Sequence, residues 1–160
     1  ARERRFGGLY ALPLMKITRT ILILRLSFGI IYLWFGLLKF FPGLSPAEGL
    51  AGETIETMTF GILPAALGLQ ILACVECLIG IGFLVNRFFR TMVMIMLGHM
   101  VCTFSTFVLL PEHMFTMAPF GLTLAGQYVV KNLVFLGAGF LIINFIDQEG
   151  EFKTKQELVT

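Results

Sequence analysis

Long apolar runs alternate with short polar connections along this chain, and the pattern predicts helices that span a membrane. Each run has the roughly 20 residues that cross a hydrocarbon core of about 30 Å in helical form. The runs cover residues 19–41, 62–85, 91–110 and 126–146. We therefore expect an all-α fold, a four-transmembrane-helix bundle that makes up a single membrane domain over residues 1–160.

A short amphipathic helix is expected between the first two spans. Ser45, Pro46 and Glu48 form a capping-box pattern with proline at the first helical position. Apolar residues then recur at helical spacing, at Leu50, Ala51, Ile55 and Met58. The pattern predicts a helix that begins at Pro46 and lies on the exterior side, over the mouth of the bundle.

The distribution of basic residues predicts the orientation of the spans. Of twelve Lys and Arg, nine lie before the first span or at its start, in the 86–90 connection, or after the last span. The other two connections, residues 42–61 and 111–125, hold none. Because cytoplasmic connections carry the excess of Lys and Arg, both termini are expected in the cytoplasm.

Two tails flank the spans, residues 1–18 and 147–160, and both are expected to be cytoplasmic. In the first tail, Gly7, Gly8 and Pro13 are expected to interrupt any long helix. The second is highly charged, which is typical of an exposed helix or of disorder. The basic tails suit a lipid surface better than nucleic acid, which is not an expected partner.

Composition agrees with a membrane protein. Hydrophobic residues make up 57% of the chain and charged residues 14%, and the mean hydropathy is +0.87. A soluble domain is usually about a quarter charged. The first apolar run is too long for a cleavable signal. The sequence has no glycine-rich phosphate loop, no paired-carboxylate site and no serine–histidine–acid candidate, so common enzyme classes find no support.

One face of the first span is polar or small. Arg25, Gly29, Tyr32, Gly36 and Lys39 lie within roughly 40° of one direction on a helical wheel. Because charged side chains in hydrocarbon cost at least a few kcal/mol each, such a face is expected to turn toward protein or a wet cavity. The alternative is that both cations extend to the headgroup layers from near the ends of the helix.

An inner polar layer is expected from residues at similar depth, counted from the cytoplasmic ends of three spans. Arg25, Glu76 and His99 each lie about eight or nine residues in. A lone acid at this depth must be protonated or paired. We expect a buried ion pair of Arg25 with Glu76, with His99 as a third member. The alternative is that these groups only hold the bundle together.

An outer polar layer is expected near the other face. Lys39 and Lys131 lie at similar depth, and with Tyr32 and Gln127 they form a candidate ligand-binding set. Two ammonium groups that face one pocket attract an anion or a quinone carbonyl. Alternatively, each lysine pairs with a glutamate of the connections. Those glutamates are Glu48, Glu53, Glu56 and Glu112.

The cysteines are not expected to do chemistry. Cys74 and Cys77 are one helical turn apart, as are His99 and Cys102 on the next span. A Cys₃His metal site or a dithiol is geometrically conceivable. Small apolar cysteines packed between helices are much commoner, and we predict no metal site.

The sequence resembles the DoxX-like family of membrane proteins, which includes DoxD-type subunits. The likeness lies in RLSFGIIYLWFGLLKFFP with its Gly-x-x-Lys element, in CVECLIGIGFL and in GQYVVKNLVFLGAGF. The family residues are then Arg25, Lys39, Glu76 and Lys131, and the likeness spans about residues 20 to 146. It implies a four-helix bundle in the bacterial cytoplasmic (inner) membrane. Some such proteins are quinone-linked subunits of thiosulfate-oxidising complexes, and others are tied to oxidative-stress defence.

Together these patterns predict a membrane subunit of a redox or oxidative-stress-related complex, with a quinone or small-anion pocket. No cofactor other than a quinone is implied. The expected partners are the lipid bilayer and other membrane subunits or further copies of the chain. A rival interpretation is a non-catalytic accessory subunit whose polar residues only fix packing. A third is a small-molecule transporter, which a four-span unit without broken helices supports weakly.

Overall fold

The computed structural model describes residues 7–157, with side chains described for residues 19–148. The predicted tail residues 1–6 and 158–160 lie outside this description. The described chain is mostly helical. Its elements are α1 (Gly7–Leu38), α2 (Glu48–Met58), α3 (Ala65–Val85), α4 (Phe89–Leu109), α5 (Pro111–Met114), β1 (Phe115–Met117), β2 (Gly121–Leu122), α6 (Leu124–Lys131) and α7 (Leu133–Glu157).

Four long apolar helical stretches pack together, which confirms the four-span bundle. They are Arg19–Leu38, Ala65–Val85, Phe89–Leu109 and Leu124–Gln148. The chain is therefore a multi-pass integral membrane protein. The last stretch combines α6 and α7, which meet at Asn132.

The ends of the first two spans differ from the predicted bounds. The α1 helix ends at Leu38, and residues 39–41 continue in turns with hydrogen bonds to the third residue back. Pro64 precedes the first residue of α3 instead of lying inside its first turn. Proline has no backbone N–H to donate to a helix, so it suits this boundary.

The predicted interruption of the first tail is wrong. The α1 helix begins at Gly7 and continues without a break through Pro13 into the first span. At the other end, α7 continues through Glu157, so the second tail is helical as far as it is described.

A short helix between the first two spans is confirmed as α2, but it begins at Glu48 and not at Pro46. The predicted capping box does not form. The Glu48 Oε2 atom accepts a hydrogen bond from the Gly43 N–H at 2.8 Å, and the Ser45 hydroxyl does not cap the helix. The buried residues of α2 are Gly52 and Thr54, and the Thr54 hydroxyl lies 3.3 Å from that of Thr106 on α4.

The connection between α4 and α6 contains an antiparallel pair of short strands where a loop was expected. Phe115 lies opposite Leu122, and Met117 lies opposite Gly121. The Thr123 hydroxyl accepts a hydrogen bond from the Gly126 N–H at 3.0 Å and so caps α6. The fold is thus helical with one small β-hairpin.

The core lies between α1, α3, α4 and α7. Its fully buried side chains include Ile79, Phe83, Val93, Met96 and Ile142. The Phe28 ring stacks on Phe135 at 5.2 Å between centroids and is tilted against Phe83 at 5.7 Å. The Phe135 ring also contacts Tyr32, at 6.2 Å between centroids.

Candidate functional site

Two glycines bring α1 and α3 into close contact and fix the register between them. A Cβ atom at Gly80 would lie 2.5 Å from the Leu33 backbone nitrogen, and one at Gly36 would lie 2.9 Å from the Cys77 backbone nitrogen. Such approaches are possible only where a side chain is absent. If this antiparallel register is continued, Glu76 lies opposite Leu37, close to the C-terminal end of α1.

Lys39 and Glu76 form a buried ion pair in this register. The Lys39 Nζ atom donates to Glu76 Oε2 at 2.6 Å, and the two side chains are only 6% and 8% exposed. Lys39 Nζ also donates to the Phe35 carbonyl at 3.4 Å. An ammonium has three N–H donors. Since these contacts use two, one N–H remains for another acceptor.

His99 and Tyr32 extend the ion pair into the bundle. His99 Nε2 lies 3.5 Å from Glu76 Oε1, and His99 Nδ1 lies 3.1 Å from the Tyr32 hydroxyl. Tyr32 is buried and His99 is largely so. Lys39, Glu76, His99 and Tyr32 thus follow one another in contact, and we call them the polar chain.

The chemistry of the polar chain follows from its donors and acceptors. A carboxylate only accepts hydrogen bonds, so the nitrogen of His99 that faces Glu76 carries the proton when the ring is neutral. The other nitrogen then accepts from the Tyr32 hydroxyl. One cation and one anion cancel, which allows the chain to stay inside a membrane.

The predicted pair of Arg25 with Glu76 is wrong. Arg25 Nη1 donates to the Phe83 carbonyl at 3.0 Å, and Glu76 is paired with Lys39 instead. Phe83 lies in the last turn of α3, where carbonyl groups lack helical partners and the helix dipole favours a cation. Glu76 lies about two turns deeper, which in a helix is roughly 10 Å away. The expected contact of His99 with Glu76 is present.

The predicted convergence of Lys39 and Lys131 is also not found. Lys131 is exposed, and its Nζ atom lies 4.9 Å from the centroid of its neighbour Tyr128. Gln127 is exposed too. Neither residue lines the cavity beside Lys39. Of the predicted ligand-binding set, the structure brings together only Lys39 and Tyr32, through Glu76 and His99.

A groove of about 860 Å³ adjoins Lys39. Its walls come from the connection that follows α1, the start of α2 and the first half of α3. The lining residues are Lys39, Phe40, Pro42, Gly43, Ser45, Glu48, Gly49, Gly52, Ala65, Ala66, Leu69, Gln70 and Cys74. Clefts of this size hold small ligands in other proteins. We call this cavity the Lys39 groove.

The cysteines do not form a cluster in the described part of the chain. Cys74 and Cys102 are exposed, Cys77 is partly buried, and all three are free thiols. Between residues 19 and 148, no three His, Cys, Asp or Glu side chains are grouped so that they could hold a metal ion. Cys77 packs against Gly36.

Sequence reasoning missed the Lys39–Glu76 pair and the groove. The usable signal was the glycine at position 36, three residues before Lys39, together with Gly80, four residues after Glu76. Small residues on facing helices mark close contacts in membranes. Comparisons of the chain with family models, with curated proteins and with solved structures find no match.

Proposed function

We propose that this protein is a membrane subunit of a redox or oxidative-stress-related complex, of the DoxX-like kind, and that it binds a quinone in the Lys39 groove. One observation carries the proposal. The side chain of Lys39 is almost fully buried, and this residue lines the groove and retains an N–H beyond those given to Glu76 and Phe35. A charged donor in a dry site forms a strong hydrogen bond to a carbonyl oxygen.

The charges around the groove favour a neutral carbonyl compound over a small anion. The charge of Lys39 is balanced by Glu76 at 2.6 Å. A second carboxylate, that of Glu48, also lines the groove. An anion placed there would meet two carboxylates and one ammonium, and the net repulsion would oppose binding. A quinone carbonyl needs only the free N–H.

The position of the groove favours entry from the bilayer. Gln70 and Cys74 line it and are exposed on α3, within one of the candidate membrane spans. Phe40, at the other wall, is exposed as well. A quinone with a hydrocarbon tail dissolves in the membrane and reaches such a lateral opening directly.

The test removes the donor without leaving an unpaired charge. In detergent-solubilised protein, a short-tailed naphthoquinone is titrated by calorimetry into the parent and into the double variant Lys39→Met/Glu76→Met. Loss of a charge-assisted hydrogen bond of about 1.5–3 kcal/mol lowers affinity by roughly 10-fold or more. Lys131→Met is the matched control and should bind like the parent. Absence of binding by the parent would refute the proposal, as would an equal loss in the control.

A second candidate function is that of an accessory subunit without ligand. The observation in its favour is that members of the polar chain satisfy one another, as residues that only hold a bundle together would. Under this alternative the double variant keeps both its fold and its place in the assembly, and the parent binds no quinone.

The proposal includes the orientation with both termini in the cytoplasm, in a bacterial inner membrane. It is supported by the connections without Lys or Arg at 42–61 and 111–125. Single cysteines introduced there, in a chain whose own three cysteines are replaced by alanine, should react with an impermeant maleimide on intact cells. Reaction only after permeabilisation would reverse the orientation.

A further inference from the structure

One residue that lines the Lys39 groove carries a polar group that the fold leaves without a partner. Ser45 lines the groove and is 5% exposed, and its hydroxyl has no hydrogen-bond partner within the described part of the chain. The Ser45 carbonyl, by contrast, accepts from the Glu48 N–H at 3.1 Å. Buried hydroxyls are nearly always paired, so an unpaired one calls for an explanation.

Part of the groove wall is built from residues with little or no side chain. Gly49, Gly52, Ala65 and Ala66 all line it. A Cβ atom placed on Gly49 would meet nothing within 4 Å, so the space beside this backbone is open. Smooth walls of this kind suit a flat ring, which needs contact area on its faces and hydrogen bonds only at its edge.

We propose that the Ser45 hydroxyl is the second hydrogen-bonding group for the ligand, so that the groove selects a planar ring with two carbonyl oxygens. One oxygen binds Lys39 and the other binds Ser45. This inference rests on the proposed function and names the feature of the quinone that the site recognises. Ser45 then acts as a specificity-determining residue.

Ser45 and Lys39 differ in their hydrogen-bonding capacity, and this difference suits a ligand with two redox forms. An ammonium only donates, whereas a hydroxyl both donates and accepts. Ser45 can therefore donate to a quinone carbonyl and accept from the hydroxyl of the corresponding quinol. Lys39 can donate to an oxygen of either form, so both forms are held at two points.

The experiment compares two probes on full-length protein in detergent. One is a naphthoquinone with para carbonyls, and the other is tetralone, which keeps the fused rings and has one carbonyl. The variant is Ser45→Ala, and Ser27→Ala, at an exposed position of α1 outside the groove, is the matched control. Affinities are measured by calorimetry and stability by thermal unfolding.

The parent and the Ser27→Ala control are expected to bind the naphthoquinone more tightly than tetralone. Ser45→Ala should lower affinity for the naphthoquinone about 5-fold, as expected for one neutral hydrogen bond, and leave tetralone unchanged. The melting temperature should not fall, since the variant removes a hydroxyl that has no partner.

Failure of the two proposals gives different results. If the parent binds neither probe, the proposed function and this inference both fail. If the parent binds the naphthoquinone but Ser45→Ala weakens both probes equally, or neither, only the role of Ser45 is overturned. A clear loss of stability in Ser45→Ala would show that the hydroxyl has a structural partner, which also overturns the inference.

Discussion

Replacement of Lys39 and Glu76, singly and together, tests whether the effects of the two charges on stability depend on each other. In Lys39→Met, the carboxyl of Glu76 keeps its buried position but loses the ammonium at 2.6 Å. In the double variant Lys39→Met/Glu76→Met, neither charge is present. We expect the double variant to be more stable than either single one.

The structure gives the scale of this effect. At 2.6 Å, two unit charges attract by about 6 kcal/mol with an effective dielectric constant of about 20. Desolvation of the two ions, several kcal/mol each, offsets most of this attraction. Removal of one partner costs about 3–5 kcal/mol, because the other charge stays buried and unpaired. Well-packed apolar replacement of both is close to neutral. We therefore expect a loss of about 3 kcal/mol for Lys39→Met, since a lone carboxylate there can take up a proton.

Reversible unfolding in mixed micelles, followed by circular dichroism, measures these differences. Lys131→Met is the control, because it removes the same charge from an exposed position and should change the free energy of unfolding by less than about 0.5 kcal/mol. If the loss in the double variant equals the sum of the losses in the two single variants, the side chains contribute independently and the reasoning is refuted.

Two further predictions follow from contacts around the pair. Gly80→Ala should destabilise the protein by about 1–3 kcal/mol in the same assay, because the added methyl meets the Leu33 backbone, whereas Gly98→Ala, with no atom within 4 Å of the new Cβ, should not. Nitrogen NMR of labelled His99 near neutral pH should show the neutral ring with the proton on Nε2. A proton on Nδ1 would contradict the inferred hydrogen bond from Tyr32.

The apolar pattern predicted the helical bundle because a bilayer imposes it. About twenty consecutive apolar residues must form a helix in lipid, so the number of spans follows from the sequence alone. The predicted boundaries of the spans were less accurate where polar residues lie next to the end of an apolar run. Lys39 falls just outside α1, and the prediction extended that span to residue 41.

The partner of Glu76 was not predictable by counting depth. Depth counted from the predicted span ends placed Glu76 level with Arg25. In the structure Glu76 lies opposite Leu37, which is twelve residues further along the chain than Arg25. The actual register depends on how closely two backbones approach at Gly36 and Gly80. That approach depends on both helices together, so the hydrophobic periodicity of one helix alone does not predict the register.

The groove depends on features that are local and irregular. The capping-box pattern predicted that Ser45 would cap a helix beginning at Pro46, but α2 begins two residues later, at Glu48, whose side chain contacts the Gly43 backbone instead. The hydroxyl is then buried without a partner. Sequence patterns predict that a helix starts nearby more reliably than they predict which side chain caps it.

The ion pair between α1 and α3 has a consequence for biosynthesis. Lys39 directly follows the first span, and Glu76 lies near the middle of the second, so the partner of Glu76 leaves the ribosome before it. A lone charge near the middle of a span opposes insertion by about 2.5–3.5 kcal/mol. The first two spans are therefore expected to enter the lipid as a hairpin. Lys39→Met should therefore lower the fraction of chains in which the second span inserts, and addition of Glu76→Leu should restore that fraction.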